Sequence, residues 1–207
     1  MAKQRLAGKE RSRAIVAAAL GLFARRGFEG TTTRQLARAA GVSEALLFKH
    51  FPHKDSLYRA ILETKIHDAE QALPLDDSLL LLPDEAFLRH IATRVMRRVD
   101  ADDTFLRLML RSSIEGHDLA RDFRKARAGK LLKMIEVKIR ARYAARPGGE
   151  KVDPALAARI FNGMILSSMI GRHIFREPVV SRTSIDHLAR TLVGTFLNGI
   201  DPPESRS

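Results

Sequence analysis

Apolar residues recur every three or four positions along most of the chain, which is the spacing of one face of an α-helix. In the first third of the chain this spacing predicts helices at residues 9–26, 32–40, 43–51 and 54–72. Beyond Pro74, breaks at proline, glycine and aspartate separate further predicted helices at residues 84–99, 102–115, 117–146, 154–175 and 184–199. No segment alternates apolar and polar residues as a half-buried strand would, so we expect an all-α protein.

The ends of the first helices carry specific start and stop residues. Gly27 is placed to end the first helix in a left-handed conformation. Thr32 and Gln35 form the S/T-x-x-E/Q pattern of a capping box and open the second helix. Ser43 is a suitable cap for the third helix, and Pro52 stops that helix.

The second and third helices fit a helix-turn-helix. This motif needs a small residue in its first helix, a glycine at the turn and an apolar residue in its second helix, and Ala37, Gly41 and Leu47 meet these needs. On a helical wheel Leu47 and Phe51 share the side that faces the core. The side that faces outward, and would enter the major groove of DNA, carries Ala45, Phe48 and Lys49, flanked by Glu44 and Leu46.

These side chains match the chemistry of base pairs and phosphates. Lys49 suits a guanine edge or a phosphate, Glu44 suits the amino group of cytosine, and Ala45 and Leu46 suit a thymine methyl group. The first turn of the second helix and Lys54 suit phosphates. The predicted DNA-binding residues are Thr32, Thr33, Arg34, Ser43, Glu44, Ala45, Leu46, Phe48, Lys49 and Lys54.

Charge supports a polyanionic partner for the N-terminal quarter. Residues 1–60 carry 12 lysines and arginines against 4 acidic residues, so they hold 8 of the 12 net positive charges. A basic surface of this kind is also compatible with simple solvation, or with binding to an anionic membrane. Its coincidence with a complete helix-turn-helix favours DNA. Residues 1–8, basic and polar, are expected to be a mobile arm.

The segment 30–57, GTTTRQLARAAGVSEALLFKHFPHKDSL, resembles the DNA-binding signature of the TetR/AcrR family of transcriptional regulators. Three positions depart from the family pattern: Leu46 stands where threonine is frequent, Phe48 where tyrosine is usual, and His53 where serine or asparagine caps the fourth helix. The loss of the tyrosine hydroxyl at Phe48 removes one expected phosphate hydrogen bond. The operator of a relative therefore cannot be assumed for this chain.

The resemblance implies a homodimeric repressor that is released from a palindromic operator by a small apolar or amphipathic effector. We expect a DNA-binding domain at residues 1–53, a helical effector-binding and dimerisation domain at 54–200, and a flexible tail at 201–207. Dimerisation is expected through residues 154–175 and 184–199, whose helices are too apolar all round to lie on a free surface.

Methionine and phenylalanine side chains beyond residue 95 suit an adaptable apolar pocket, although for each residue taken singly an ordinary core position is favoured. Asn162, Arg172 and His173 lie among apolar residues, where they would orient a ligand or bridge two subunits. The predicted ligand-binding residues are Met96, Phe105, Met109, Met134, Phe161 and Met164.

Several other kinds of site are disfavoured. The chain has no cysteine, which excludes disulfides and thiolate chemistry and fits a cytoplasmic protein. His50 and His53 are separated by a proline and have no carboxylate partner in the motif, so we expect no metal site and no cofactor. The apolar run at residues 14–24 is too short to cross a bilayer.

An enzyme that processes DNA, such as a recombinase, is the alternative to a regulator. It would use the helix-turn-helix only for targeting, and it would need a nucleophile within a catalytic cluster. Tyr58 and Tyr143 are the only tyrosines, and neither has a recognisable constellation of catalytic residues around it in the sequence. We therefore predict that the protein is not an enzyme.

Overall fold

The computed structural model describes residues 2–144 and 152–200, and these form helices without any strand, as predicted. Short 3-10 or π segments occur at Asp77–Leu81, Arg124–Ala128 and Gly171–Phe175. The α-helices are α1 Ala2–Arg26, α2 Thr33–Ala39, α3 Glu44–His50, α4 Lys54–Ala72, α5 Asp84–Ala101, α6 Thr104–Ile114, α7 Leu119–Phe123, α8 Gly129–Ala144, α9 Pro154–Ile170, α10 Pro178–Arg182 and α11 Ile185–Ile200.

The predicted capping signals are confirmed at the end of α1 and at the starts of α2 and α3. Thr32 accepts a hydrogen bond from the Gln35 amide, and the Gln35 side chain accepts one from the Thr32 amide. Ser43 accepts from the Leu46 amide at the start of α3. Gly27 has a φ of +77°, the left-handed conformation expected after the last turn of α1.

Three expectations about the helices are corrected. Helix α1 begins at Ala2, so the arm predicted as mobile is helical from that residue, because its alanine, lysine, arginine and leucine are strong helix formers. The single helix predicted at residues 117–146 is divided into α7 and α8 by the π segment Arg124–Ala128. The predicted helix 154–175 is α9 followed by a π segment, and the short helix α10 was not predicted.

The chain divides into two compact units. The N-terminal unit comprises Met1–Asp68 and Thr104–Arg124, and the C-terminal unit comprises Ala69–Asp103 and Lys125–Ser207. The N-terminal unit thus includes α6 and α7, because Leu108 and Leu119 are buried in the same core as α2 and α3. The expected functional boundary after residue 53, between DNA binding and effector binding, stays a prediction.

Each unit has its own buried apolar interior. In the N-terminal unit the core is built around Phe23, Leu36, Leu47 and Ile61, which are almost fully buried. In the C-terminal unit α8 packs against α9 and α5 against α11. The buried side chains there include Phe87, Ile91, Ile135, Phe161 and Val193.

Candidate nucleic-acid interface

The helix-turn-helix has the close crossing that its sequence predicts. Ala37 is 3% exposed in α2, and Gly41 turns the chain with a φ of +65°. The Val42 amide donates to the Ala37 carbonyl at 3.0 Å, which closes the turn. Leu47 from α3 is 2% exposed and fills the space beneath α2. The turn and the two packing residues together fix the angle at which α3 is presented.

The opposite face of α3 is open to solvent. Phe48, a large apolar side chain, is 43% exposed, while Phe51, the residue directly after α3, is buried. The wheel prediction of an outward face is therefore confirmed. Glu44, Ala45, Phe48 and Lys49 are exposed, and Leu46 and His50 are half-buried.

The hydroxyls at the start of α2 make different contacts. The Thr32 hydroxyl oxygen accepts the Gln35 amide, which leaves its own proton available for a phosphate. The Thr33 hydroxyl instead donates to Oε2 of Glu44 at 3.2 Å, and so joins α2 to α3. This cross-helix hydrogen bond was missed in the sequence, although both residues were singled out separately. Arg34 is exposed beside them.

Lys54 makes structural contacts that the sequence did not predict. Its Nζ donates to the carbonyl of Phe28 at 2.7 Å and to that of Thr31 at 3.3 Å. The same ammonium lies 4.1 Å from the centre of the Phe28 ring. Lys54 therefore ties α4 to the link between α1 and α2, and a phosphate contact would have to break these interactions. Its assignment as a phosphate contact stays a prediction, with which these interactions compete.

A second support comes from the end of α6. The Glu115 carboxylate accepts the Phe28 amide at 3.0 Å, and Arg111 donates to the carbonyl of Arg25 at 2.7 Å. Arg111 and Glu115 are also paired with each other, at 3.1 Å. Sequence reasoning did not find this pair, since no local pattern connects residues that are 86 and 87 positions apart.

An aromatic cluster lies behind the same link. The rings of Phe23 and Phe28 are 5.6 Å apart, and Tyr58 meets each of them edge to face at 5.0 Å. His117 from the segment after α6 lies 4.3 Å from Tyr58, ring centre to ring centre. Burial raises the pKa of the Tyr58 phenol. Tyr58 is therefore a core residue, only 2% exposed.

The six predicted ligand-binding residues are divided between the two units. Phe105 and Met109 pack against the core of the N-terminal unit. Met96 and Phe161 are fully buried in the C-terminal unit, and Met134 is 9% exposed. Met164 lies instead on a surface groove. The structure does not gather the six residues at one described cavity, so their ligand-binding role stays a prediction.

The groove containing Met164 runs between α9 and α11 and has a volume of about 560 Å³. It belongs to the two helices that were predicted to dimerise. Its walls are mostly apolar or small side chains: Ile160, Gly163, Met164, Ser167, Ser168, Leu188, Thr191, Leu192 and Thr195.

Arg172 and His173 lie in an internal polar network. The sequence had left two roles open for them, orienting a ligand or bridging two subunits. The Arg172 guanidinium pairs with Asp100 at 2.6 Å and donates to three carbonyls at the end of α10, those of Val180, Ser181 and Thr183. His173 lies 3.3 Å from Asp100. This network holds α10 against the end of α5 within the C-terminal unit.

The described residues contain neither a metal-binding cluster nor a membrane-spanning helix. In residues 2–144 and 152–200 no three histidine or carboxylate side chains are arranged to hold a metal ion. No helix within those ranges has the length and hydropathy needed to cross a bilayer. The apolar run at 14–24 lies in α1, where Ile15, Ala19 and Phe23 are buried in the core.

An exposed reading face on a closely crossed helix pair defines the N-terminal unit as a helix-turn-helix module. Residues 15–61 match the family described as "Bacterial regulatory proteins, tetR family". Over these residues the helix-turn-helix module is thus similar to the tetR family, in agreement with the resemblance of segment 30–57.

Known relatives agree with this assignment. The HTH-type transcriptional regulator RutR of Escherichia coli K12 is 43% identical over 60 residues, which are 29% of this chain and 28% of RutR. The HTH-type transcriptional regulator HbdR of Aromatoleum is 32% identical over 133 residues, 64% of this chain and 58% of HbdR. Both matches span less than two thirds of the relative.

The fold likeness extends over nearly the whole chain. The solved structure of AibR, in complex with isovaleryl coenzyme A and operator DNA, matches with a TM-score of 0.69 and 23% identity. The match covers 89% of this chain and 97% of AibR. At this identity the likeness establishes a shared fold, including the helical region beyond α4.

Proposed function

We propose that the protein is a transcriptional regulator that binds a palindromic operator as a homodimer and leaves it when a small effector binds. The observation that carries the proposal is the face of α3, where charged and apolar side chains are exposed on a helix whose other side is locked into the core. RutR and HbdR, each similar to part of this chain, are regulators by name.

Base recognition is assigned to the exposed residues of α3. Lys49 donates to a guanine edge or a phosphate, and Glu44 accepts from a base amino group. Ala45 and the exposed side of Leu46 contact thymine methyl groups. Phosphate contacts are assigned to Thr32 and Arg34, since Lys54 is occupied by carbonyl groups.

Dimerisation is assigned to α9 and α11. Leu156 and Ile160 on α9 are 53% and 48% exposed, an unusual exposure for large aliphatic side chains on a helix of this hydropathy. Small residues such as Gly163 and Thr191 line the groove beside them and would let helices of a second copy approach closely. A two-fold dimer places its reading helices on half-sites about one turn of DNA apart.

The effector is proposed to be apolar or amphipathic, and its site to lie in the C-terminal unit. Support comes from the apolar interior of that unit and from AibR, whose structure holds isovaleryl coenzyme A. An effector acts only if it binds the DNA-free form more tightly than the bound form. We propose repression relieved by such an effector, in the cytoplasm where the operator lies.

The alternative of a DNA-processing enzyme has no supporting observation. Tyr58, one of its two possible tyrosine nucleophiles, is buried among Phe23, Phe28 and His117 and cannot reach a phosphodiester. The proposal therefore retains a protein without catalytic activity.

Fluorescence anisotropy on DNA from upstream of the gene, with unrelated DNA beside it and several salt concentrations, tests the proposal. We expect selective binding that weakens with salt and is lost in a Lys49→Ala, Glu44→Ala variant. Lys130→Ala, which removes an exposed cation from the C-terminal unit, is the matched control and should bind as the wild type does. The proposal would be contradicted if the protein bound upstream and unrelated DNA equally well, and if selection from random sequences also yielded no preferred operator.

A further inference from the structure

We propose that Thr33 is a positioning residue for base recognition, and that Thr33 and Glu44 read one base pair as a single unit. In this arrangement the Thr33 side chain donates no hydrogen bond to DNA and acts through the Glu44 carboxylate. The inference rests on the proposed function and specifies how part of the interface works.

The geometry supports a shared role. The Thr33 hydroxyl lies 3.2 Å from Oε2 of Glu44, across the turn between α2 and α3 and 11 residues away in the chain. Glu44 is the first residue of α3 and is exposed, so it lies at the end of the helix that carries the reading face. Thr33 is the first residue of α2 and is half-buried.

A carboxylate in a DNA groove needs to be held. The surrounding phosphates repel it, and a free glutamate side chain can turn away from the bases at little cost. Threonine is branched at Cβ, which restricts its side chain to few rotamers in a helix. Its hydroxyl can therefore hold Oε2 at a defined place while Oε1 accepts the amino group of a cytosine.

Hydrogen-bond counting excludes a simultaneous phosphate hydrogen bond donated by the Thr33 hydroxyl. A hydroxyl has one proton to donate, and Thr33 donates it to Glu44. The neighbouring Thr32 accepts at its oxygen from Gln35 and keeps its proton. The pair of threonines is thus divided between two tasks: Thr32 for the DNA backbone and Thr33 for the side chain that reads a base.

A double-mutant cycle on the full-length protein tests this division. Glu44→Ala first identifies the base pair of the selected operator at which discrimination is lost. Thr33→Ala should reduce discrimination at that same base pair about three- to tenfold, the effect of one modest hydrogen bond. Thr33→Ser should restore it, and Thr33→Ala should have no further effect in the Glu44→Ala background. Thermal unfolding of each variant checks that the fold is kept.

Two results would overturn the inference. A uniform loss of affinity for every operator after Thr33→Ala, repeated in the Glu44→Ala background, would show that Thr33 contacts the DNA itself. Unchanged discrimination after Thr33→Ala would show that the hydrogen bond does not matter for recognition. If the wild type selects no sequence at all, the proposed function fails and the inference fails with it. If the wild type does select a sequence but the effects of Thr33→Ala and Glu44→Ala on discrimination simply add, the inference alone is overturned.

Discussion

Both compact units use cationic side chains to satisfy backbone carbonyls, but they use them for different ends. In the N-terminal unit Lys54 and Arg111 hold the link between α1 and α2, on which the exposed reading face depends. In the C-terminal unit Arg127 donates to the carbonyls of Ala69 and Leu73, and so caps the end of α4 around a largely apolar interior. The first arrangement supports an exposed helix face, whereas the second completes a core.

The largest effect should come from Gly27→Ala. A Cβ at this position would lie 1.9 Å from Oε1 of Glu115, and the backbone φ of +77° disfavours any side chain. The substitution should lower the free energy of unfolding by about 3 kcal/mol, by combining backbone strain with loss of the Glu115 hydrogen bond. Denaturant unfolding measures it.

Gly41→Ala is the matched control for that prediction. Gly41 has a φ of +65°, but a Cβ there would meet no atom within 4 Å. It should cost about 1 kcal/mol, from backbone strain alone. Equal losses for the two variants would mean that Glu115 does not support the link.

The C-terminal unit is tested by Arg127→Met. Arg127 is 7% exposed, and burial lowers the pKa of its guanidinium group, yet the charge is retained at neutral pH because arginine is so strong a base. Removing it deletes two hydrogen bonds and takes the buried donor away from the Leu73 carbonyl, while the Ala69 carbonyl keeps the Leu73 amide. The substitution should cost about 2 kcal/mol of unfolding free energy. Arg121→Met removes an arginine that is 54% exposed and paired with Asp118 at 2.6 Å. That control should stay within about 0.5 kcal/mol of the wild type, and a similar loss in both would refute a special role for Arg127.

Substitutions of Lys54 and Lys49 should affect different properties, the stability of the fold and the binding of DNA. Lys54→Met should lower the unfolding free energy by about 1.5 kcal/mol, since two carbonyl hydrogen bonds and the Phe28 contact are lost. It should leave the slope of log affinity against log salt unchanged. Lys49→Met should behave in the opposite way if Lys49 meets a phosphate: unchanged stability and a slope smaller by about 0.9. A reduced slope for Lys54→Met would support the predicted phosphate contact.

The smallest effect is expected for Phe48→Tyr. Phe48 is 43% exposed, so a hydroxyl can be added without entering the core. If the ring lies beside the DNA backbone, the new phenol gains one phosphate hydrogen bond and raises operator affinity about three- to tenfold, with the unfolding free energy unchanged. Anisotropy titration against the wild type measures it, and a lowered affinity would place Phe48 against a base methyl group instead.

The contrast between the units also explains what the sequence could predict. The capping box of Thr32 and Gln35, the turn at Gly41 and the outward face of α3 depend on residues a few positions apart, so periodicity revealed them. The hydrogen bond by which Glu115 holds the Phe28 amide joins residues 87 positions apart, and no local pattern reveals it. The structural contacts of Lys54 were not foreseen, because a cation at a helix start suits phosphates and carbonyls equally well.

The C-terminal half was predictable as helices but not as a site. Met and Phe residues mark an apolar interior wherever they occur, and nothing in their spacing shows that Phe105 and Met109 pack in the N-terminal unit while Phe161 packs in the other. A pocket depends on how several helices meet, whereas a recognition face depends on one.

The return of the chain to the N-terminal unit at Thr104–Arg124 has a consequence during synthesis. The first 68 residues leave the ribosome with Leu108, Leu119 and the Arg111–Glu115 pair still to come, so the core around Phe23 stays open until that later segment emerges. A nascent chain therefore exposes its most basic part in an incompletely packed state. Complete packing of the reading helices waits for translation to pass residue 124, well after their own residues have been made.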